Sequence, residues 1–254
     1  MKMQHLRHAT FHLQYNGLNL LVDPMLSKKE ALEPVKNSAN QRRNPLVELP
    51  LGDHEPQQLI KNLDAVVLTH THFDHFDAAA AELLPRELPV ICQPCDTAKL
   101  VEMGFKDVCP IDKALDFKGV SFTRTSGKHG RGPIGKAMGN VSGYVLRATA
   151  EPILYIAGDT VWCSDVEKAL ERHKPDIAVL YTGAAQFNSG GPITMTAEHV
   201  MRVCHTSPDT KVIAIHMEAI NHCMLSRAEL HQYAEANGLS DRIVIPADGE
   251  QLEL

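Results

Sequence analysis

The sequence has no excess of positive charge and no long apolar run. Its 25 Lys and Arg residues are outnumbered by 31 Asp and Glu residues, which gives a formal net charge of −6. Proteins that bind nucleic acid or anionic membranes usually carry a basic surface, so this balance argues against both partners. The longest apolar stretches, such as 177–180, are far shorter than the about 20 residues of a membrane-spanning helix. The sequence therefore predicts neither a nucleic-acid nor a membrane partner.

Residues 1–8 also lack the apolar core of a signal peptide. Tandem repeats, low-complexity tracts and an interdomain linker are missing from the sequence as well. We therefore expect a cytoplasmic protein with reduced thiols that forms one domain over residues 1–254. Its expected partner is a small-molecule substrate, and a homo-oligomer is compatible with the sequence.

Two of the six cysteines form a pair that needs its own interpretation. Cys92 and Cys95 follow the strand-like run 88–91 with Cys-x-x-Cys spacing, which is the setting of a thioredoxin-type redox turn. A redox role for this pair is therefore an alternative. The other four are scattered and are interpreted as small buried apolar groups: Cys109, Cys163, Cys204 and Cys223.

Short apolar runs that end in turn residues recur along the chain and predict β-strands. They cover 18–22, 65–68, 120–125, 141–147, 153–157, 177–181, 212–215 and 242–245. Helices are predicted between several of them from their start signals. The four expected N-caps are Asp77, Ser164, Thr196 and Ser226. Ser164 with Glu167 and Ser226 with Glu229 match the capping box, and Gly238 is expected just past the last helix.

The segment from Ser27 to Asp53 is the least regular part of the chain, rich in charge, Asn and Pro. Long loops in compact domains are often functional, so this segment could cover a site. A solvated insertion without a role is the alternative, and the sequence leaves both open.

The densest group of potential metal ligands lies at residues 70–75. It contains His70, His72, Asp74 and His75, directly after the apolar run 65–68. Neutral imidazole and ionised carboxylate suit zinc, iron or manganese. A buried strand that ends in four such groups therefore predicts a metal site.

Three further ligand-type residues follow later strands. His129 comes after 120–125, Asp159 after 153–157, and His216 directly after 212–215. Strand ends at one edge of a sheet converge in space, so these side chains are expected to join the 70–75 cluster.

The order His-x-His-x-Asp-His, then His, Asp and His, resembles the metallo-β-lactamase superfamily. The resemblance extends from Asp23 to His216 and includes Gly-Asp-Thr at 158–160. It is closest to the branch with ascorbate-6-phosphate lactonase-like and N-acyl-phosphatidylethanolamine phospholipase D-like hydrolases. The resemblance implies an α/β fold, a four-layer αββα sandwich of two mixed sheets with outer helices, and a metal site at one edge.

The resemblance also implies two divalent metal ions, with zinc expected first and manganese or iron as alternatives. The implied ligands are His70, His72 and His129 for one ion, Asp74, His75 and His216 for the other, and Asp159 as the bridge. Asp23 matches a structural Asp of the family that is expected to orient the loop.

Such a centre predicts a metal-dependent hydrolase that acts on a small ester, lactone or phosphodiester. Two cations about 3.5–4 Å apart can activate a bridging water for attack on these bonds. A di-iron redox protein is an alternative, but its branch of the superfamily carries Glu at the position of His72. A metal-dependent nuclease is another alternative, which the absence of a basic patch disfavours.

Four residues are expected to support the chemistry. Asp74 is expected to orient the water or to take its proton, unless it acts only as a ligand. His222 could donate to a developing oxyanion. His8 and Asp77 are expected to hold the ligands from behind, although a helix cap also explains Asp77.

Substrate contacts are expected from Lys128 and Arg131, which flank His129 and could meet an anionic group. Phe73 and Trp162 could form an apolar wall. Solvated charges and core aromatics are the alternatives for these four residues.

Overall fold

Strands and helices contribute similar numbers of residues to this computed structural model, which describes residues 1–52 and 55–254. The strands are β1 (Lys2–Arg7), β2 (Thr10–Tyr15), β3 (Leu18–Val22), β4 (Ala65–Val67), β5 (Val90–Cys92), β6 (Val108–Pro110), β7 (Ala114–Phe117), β8 (Val120–Ser126), β9 (Ser142–Arg147), β10 (Leu154–Ile156), β11 (Ile177–Tyr181), β12 (Lys211–Ile215), β13 (Ile243–Val244) and β14 (Gln251–Glu253). The helices are α1 (Glu55–Lys61), α2 (Ala78–Leu83), α3 (Thr97–Glu102), α4 (Gly132–Met138), α5 (Ser164–His173), α6 (Ala197–Thr206) and α7 (Arg227–Ala236).

Within the described ranges, these strands form two seven-stranded mixed sheets. The first has the order β14-β1-β2-β3-β4-β5-β6, and the second has the order β13-β12-β11-β10-β9-β8-β7. In the first sheet, neighbours from β14 to β3 are antiparallel and those from β3 to β6 are parallel. In the second, neighbours from β7 to β10 are antiparallel and those from β10 to β13 are parallel.

Three apolar clusters separate four layers. The central cluster joins the inner faces of both sheets, for example Phe11 from β2 with Phe122 from β8. A second cluster packs α5, α6 and α7 on the outer face of the second sheet. A third packs α1, α2 and α3 on the outer face of the first sheet. The predicted αββα sandwich is therefore confirmed. None of the helices in the described part of the chain is long and apolar enough to cross a membrane.

The sheet topology brings the predicted ligand segments to one edge of the sandwich. β10 and β12 run parallel within the second sheet, and β8 runs in the same direction because two antiparallel pairings separate it from β10. Their carboxyl ends lead into Asp159, His216 and His129 respectively. A backbone hydrogen bond of 3.2 Å from Ser142 N to Thr69 O joins this edge to the loop that follows β4.

The predicted helix starts are correct in three of four cases. Asp77 accepts a hydrogen bond from Ala80 N, Ser226 forms the predicted capping box with Glu229, and Thr196 caps α6 with His199 as its box partner. Gly238 follows α7 with a φ of 67°. The fourth predicted cap, Ser164, does not occupy the N-cap of its helix, α5.

The prediction for Ser164 is wrong. α5 begins at Ser164 itself, and the extended residue Cys163 occupies the N-cap without a side-chain hydrogen bond. Cys163 is buried in the cluster between α5 and the second sheet. Tertiary packing therefore fixes the point at which the chain enters the helix, and the local capping pattern does not.

The described part of the irregular segment, 27–52, is tied to the body of the protein at its ends and in its middle. The guanidinium of Arg7 is fully buried and donates to three carbonyl oxygens, those of residues 25, 27 and 47, at 2.8 to 3.1 Å. The side chain of Asn221 accepts from Asn44 Nδ2 at 2.9 Å, and Asn221 N donates to Asn44 Oδ1 at 2.9 Å. Its last predicted residue, Asp53, lies outside the described residues. Coverage of the site by this segment stays a prediction.

Candidate metal centre

Three histidines bring one ring nitrogen each to a common point at the edge of the sandwich. His72 Nδ1 lies 2.9 Å from His70 Nε2 and 3.3 Å from His129 Nε2. His70 and His129 are buried, each with 2% of its surface exposed, and His72 is half-buried. We refer to His70, His72 and His129 as the first ligand group.

A second set of side chains lies beside the first. His75 Nε2 is 3.3 Å from His216 Nε2 and 3.8 Å from Asp74 Oδ2, and all three residues are buried. These are the separations that nitrogen and oxygen atoms adopt when they surround one cation with bonds of about 2.0–2.2 Å. We refer to Asp74, His75 and His216 as the second ligand group.

Asp159 lies between the two groups. Its Oδ2 atom is 3.4 Å from His129 Nε2 and 3.2 Å from His75 Nε2, while Oδ1 is 3.1 Å from His216 Nε2. Because each carboxylate oxygen has its own lone pairs, one side chain at this place can serve both groups. The structure thus brings together all seven residues of the predicted ligand set.

Hydrogen bonds fix which nitrogen faces the centre in three of these histidines, His70, His75 and His129. His75 Nδ1 donates to Asp23 Oδ2 at 3.0 Å, and His129 Nδ1 donates to the carbonyl oxygen of Ile193 at 2.9 Å. His70 Nδ1 lies 3.1 Å from the hydroxyl oxygen of Thr69. In the neutral form of each ring, the proton on Nδ1 leaves a lone pair on Nε2, the nitrogen that points at the centre.

Asp23 accepts four hydrogen bonds from residues in and around the ligand groups. Its carboxylate accepts from Thr69 N at 2.8 Å, Thr69 Oγ1 at 2.7 Å, Tyr181 Oη at 2.8 Å and His75 Nδ1. The residue is fully buried and has a left-handed backbone with φ 43°. Asp23 therefore orients the loop after β4 and holds His75 through Nδ1, the nitrogen on the side away from the centre.

The charges and the unpaired atoms at this place fit a bound cation. Burial alone would raise the pKa of the Asp159 carboxyl, but the imidazoles of His216 and His75 outweigh it and hold that pKa well below its usual range. Burial opposes protonation of His75, yet Asp159 and Asp74 outweigh it and hold the pKa of His75 well above 6.5. Asp159 Oδ1 is buried, and among the described residues it forms no hydrogen bond of good geometry, although His216 Nε2 lies 3.1 Å away. Buried acceptors without a partner require an explanation, and a divalent cation supplies one.

The predicted catalytic residue His222 is buried near this place, with 5% of its surface exposed. Burial lowers its pKa to about 4, so the imidazole is neutral at pH 7. Its Nδ1 atom has no hydrogen-bond partner in the described ranges. The imidazole is thus a neutral group with an uncommitted ring nitrogen.

The four predicted substrate residues have different surroundings. Lys128 and Arg131 are exposed and line a cavity of about 540 Å³ beside His129. Arg131 also donates to the carbonyl oxygen of Trp162 at 2.8 Å. Phe73 is 40% exposed, whereas Trp162 packs in the cluster between α5 and the second sheet. Trp162 is therefore a core residue in the structure, and Phe73 has a free face.

The Cys-x-x-Cys pair is poorly suited to redox chemistry. Burial raises the pKa of the Cys92 thiol to about 12 and also raises that of Cys95. The thiolate is the reactive form, so both groups are less reactive than an ordinary cysteine. Cys92 is buried and Cys95 is exposed, and both are free thiols.

We expect Cys92 to resist alkylation. At about pH 7.5 its thiolate fraction should lie roughly a thousandfold below that of free cysteine, and iodoacetamide labelling followed by peptide mass spectrometry measures the rate. Cys95→Ser should leave hydrolysis unchanged. Rapid labelling of Cys92, or a thiol–disulfide activity that Cys95→Ser removes, would contradict this view and favour the redox alternative.

The fold and the centre together define a metal-dependent hydrolase of the β-lactamase superfamily. Residues 18–217 match the family model described as "Beta-lactamase superfamily domain", and the chain belongs to that superfamily. Within it, the chain belongs to the UPF0173 metal-dependent hydrolase family. It is 36% identical to the UPF0173 protein YddR of Bacillus subtilis over 98% of both chains. It is also 27% identical to a UPF0173 metal-dependent hydrolase of Azorhizobium caulinodans over the full length of both chains.

Solved structures of similar proteins agree with this assignment. An isothiocyanate hydrolase from Delia radicum gut bacteria is 40% identical, with a TM-score of 0.94 over 100% of this chain and 99% of that chain. A possible metal-dependent hydrolase from Veillonella parvula is 35% identical, with a TM-score of 0.95 over the same shares. The di-iron β-hydroxylase CmlA of Streptomyces venezuelae has a TM-score of 0.66 at 15% identity, covering 100% of this chain and 54% of that chain, and shares the fold alone.

Proposed function

We propose that the protein hydrolyses a small molecule at a two-ion centre built from the first and second ligand groups and Asp159. The observation that supports this most is the convergence of the seven donor side chains. Three of them are histidines whose Nδ1 atom is held by a hydrogen bond to a residue outside the ligand set. Two divalent cations held there would supply a water of lowered pKa and polarise the bond that it attacks. Zinc is proposed first, with manganese and iron as alternatives, because these N and O ligands accept all three.

The protein's own residues would position the reactants. Asp74 is held by a hydrogen bond from His8 Nε2 at 3.2 Å, and we propose that its carboxylate orients the attacking water. The neutral imidazole of His222 would donate a hydrogen bond to the oxygen that gains charge during attack. Lys128 and Arg131 would attract an anionic group of the substrate to the cavity beside His129.

Esters, lactones and phosphodiesters are the first substrate classes proposed. They follow from the ligand pattern and from the resemblance to the lactonase-like and phospholipase D-like branch, which remains part of this proposal. The proposal also includes a cytoplasmic location, a single domain and a homo-oligomer as one option. It includes neither a nucleic-acid nor a membrane partner.

An isothiocyanate is a second candidate substrate. The 40% identity to an isothiocyanate hydrolase over the whole chain favours it. The central carbon of the N=C=S group is electrophilic, so addition of water gives a thiocarbamic acid, which breaks down to an amine and carbonyl sulfide. This step needs an activated water and no Ser or Cys nucleophile.

One assay compares these substrates. Protein stripped of metal and protein reloaded with zinc are incubated with a lactone, a phosphodiester, a carboxylic ester and an alkyl isothiocyanate. We expect metal-dependent turnover of at least one of them, with release of the amine as the readout for the isothiocyanate. Turnover that is equal in the stripped and the reloaded protein would contradict the proposal.

Replacement of His222 by Phe is expected to lower kcat by about a hundredfold to a thousandfold, as removal of one oxyanion donor does elsewhere. Bound metal should stay at the wild-type level, because His222 is not one of the seven proposed ligands. Steady-state kinetics and elemental analysis measure the two effects. The matched control is His231→Phe on α7, where the side chain is 61% exposed. Loss of metal together with activity would instead give His222 a structural role.

A further inference from the structure

A histidine outside the seven predicted ligands also reaches the centre. His8 lies in the turn between β1 and β2 and is fully buried. Its Nε2 atom lies 3.2 Å from Asp74 Oδ2, and its ring centroid lies 3.6 Å from that of His216. With the ring of His75 at a centroid distance of 5.8 Å, it contacts all three members of the second ligand group.

The backbone also joins this turn to the second group. The carbonyl oxygen of His8 accepts from His216 N at 2.9 Å, and His5 Nε2 lies 3.1 Å from the same oxygen. His8 has a left-handed backbone with φ 58°, and His216 has one with φ 72°. Such conformations are strained for non-glycine residues and persist where the surrounding structure enforces them. Two histidines with strained backbones therefore lie next to each other at the carboxyl end of β12.

The polar contact of His8 has one consistent arrangement of protons. An ionised carboxylate only accepts hydrogen bonds, so Nε2 must carry the proton that it shares with Asp74. The other nitrogen, Nδ1, is then an acceptor, and in residues 1–52 and 55–254 it has no hydrogen-bond partner. The polar contact of the buried His8 ring is therefore the hydrogen bond from Nε2 to Asp74.

We propose that His8 is a positioning residue for the second ligand group. Its N–H fixes the rotamer of Asp74, and its ring packs on His216, so both ligands are held in place before a cation arrives. This inference rests on the proposed two-ion centre. The ring contacts of His8 within the centre are to His75 and His216, both in the second group. Loss of His8 should therefore weaken one ion and spare the other.

Calorimetric titration of the metal-free protein with zinc tests this. The wild type should bind two ions per chain. His8→Phe should bind the first ion as the wild type does and the second about tenfold to a hundredfold more weakly, the usual effect of removing a residue that orients a metal ligand. His8→Gln keeps a donor at a similar reach and should restore much of the second affinity. His12→Phe on β2 is the matched control and should equal the wild type.

His8→Asn, which tolerates the left-handed backbone but is too short to reach Asp74, repeats the test if His8→Phe does not fold. Far-ultraviolet circular dichroism of the metal-free variants checks folding. A wild type with two ions and a His8→Phe variant that matches it, or that loses both ions equally, would overturn this inference alone. A wild type that binds fewer than two ions would overturn the two-ion centre together with this inference.

Discussion

Replacement of Asp159 by Asn is expected to reduce hydrolysis by at least about a thousandfold, which corresponds to several kcal/mol of transition-state stabilisation. Asp159 is the residue whose oxygens reach both ligand groups, at 3.1 to 3.4 Å from three histidines. An amide of the same shape offers one oxygen in place of two and carries no charge. The affinity for both ions should therefore fall, and elemental analysis after dialysis should find less than the wild-type metal content.

The matched control for Asp159 is Asp112→Asn. Asp112 is 82% exposed and lies 4.0 Å from Arg124, in a surface pair of the kind that contributes little. This variant should keep both metal and activity. Added zinc should raise the melting temperature of the wild type and of Asp112→Asn, because binding to the native state stabilises it, and should have a smaller effect on Asp159→Asn. Full hydrolysis by Asp159→Asn would contradict the proposed bridge.

Replacement of Asp23 by Asn is expected to lower the free energy of unfolding by about 3–5 kcal/mol, the usual cost of breaking a buried charged network. Its carboxylate accepts four hydrogen bonds in a fully buried position. The amide nitrogen of Asn would face donors where an acceptor is required. The loss of the bond to His75 should also weaken metal binding about tenfold to a hundredfold.

Urea denaturation of the metal-free proteins separates the effect of Asp23 on stability from its effect on metal. Tyr181→Phe removes one of the four bonds and should cost about 1.5–3 kcal/mol, as expected for a hydrogen bond to a charged group. Asp64→Asn is the matched control, because Asp64 directly precedes β4 and accepts hydrogen bonds from the exposed Lys118 and from Asn19 N, outside the network of Asp23. An Asp23→Asn variant as stable as Asp64→Asn would show that the hydrogen bonds of Asp23 contribute nothing to the free energy of unfolding.

The convergence of the seven ligand side chains could be predicted from the sequence because each lies close after the end of an apolar run, and the resemblance to the superfamily implied how they divide between two ions. The cluster at 70–75 is local, and the strand pattern alone identifies the ends at which His129, Asp159 and His216 lie. Parallel neighbours such as β10, β11 and β12 then bring those ends to one edge. The alternation of strands and helices indicates an α/β domain, and the resemblance to the superfamily implies the αββα layers.

The contacts that support the ligands could not be derived in the same way. Asp23 and Tyr181 are 158 positions apart, and no local pattern relates them. His8 could be expected only to hold the ligands from behind, because its left-handed backbone and its packing on His216 depend on the β1–β2 pairing and on the sandwich. Trp162 shows the same limit, since its position near a Gly-Asp-Thr motif does not reveal that its side chain packs in the core.

The most direct test of the proposed centre is a titration of metal-free protein with zinc in which bound metal and hydrolysis are followed together. With a substrate that the assay above identifies, we predict that the rate rises with added zinc and reaches its plateau at two ions per chain. A plateau at one ion per chain, or full hydrolysis by the metal-free protein, would contradict the two-ion centre.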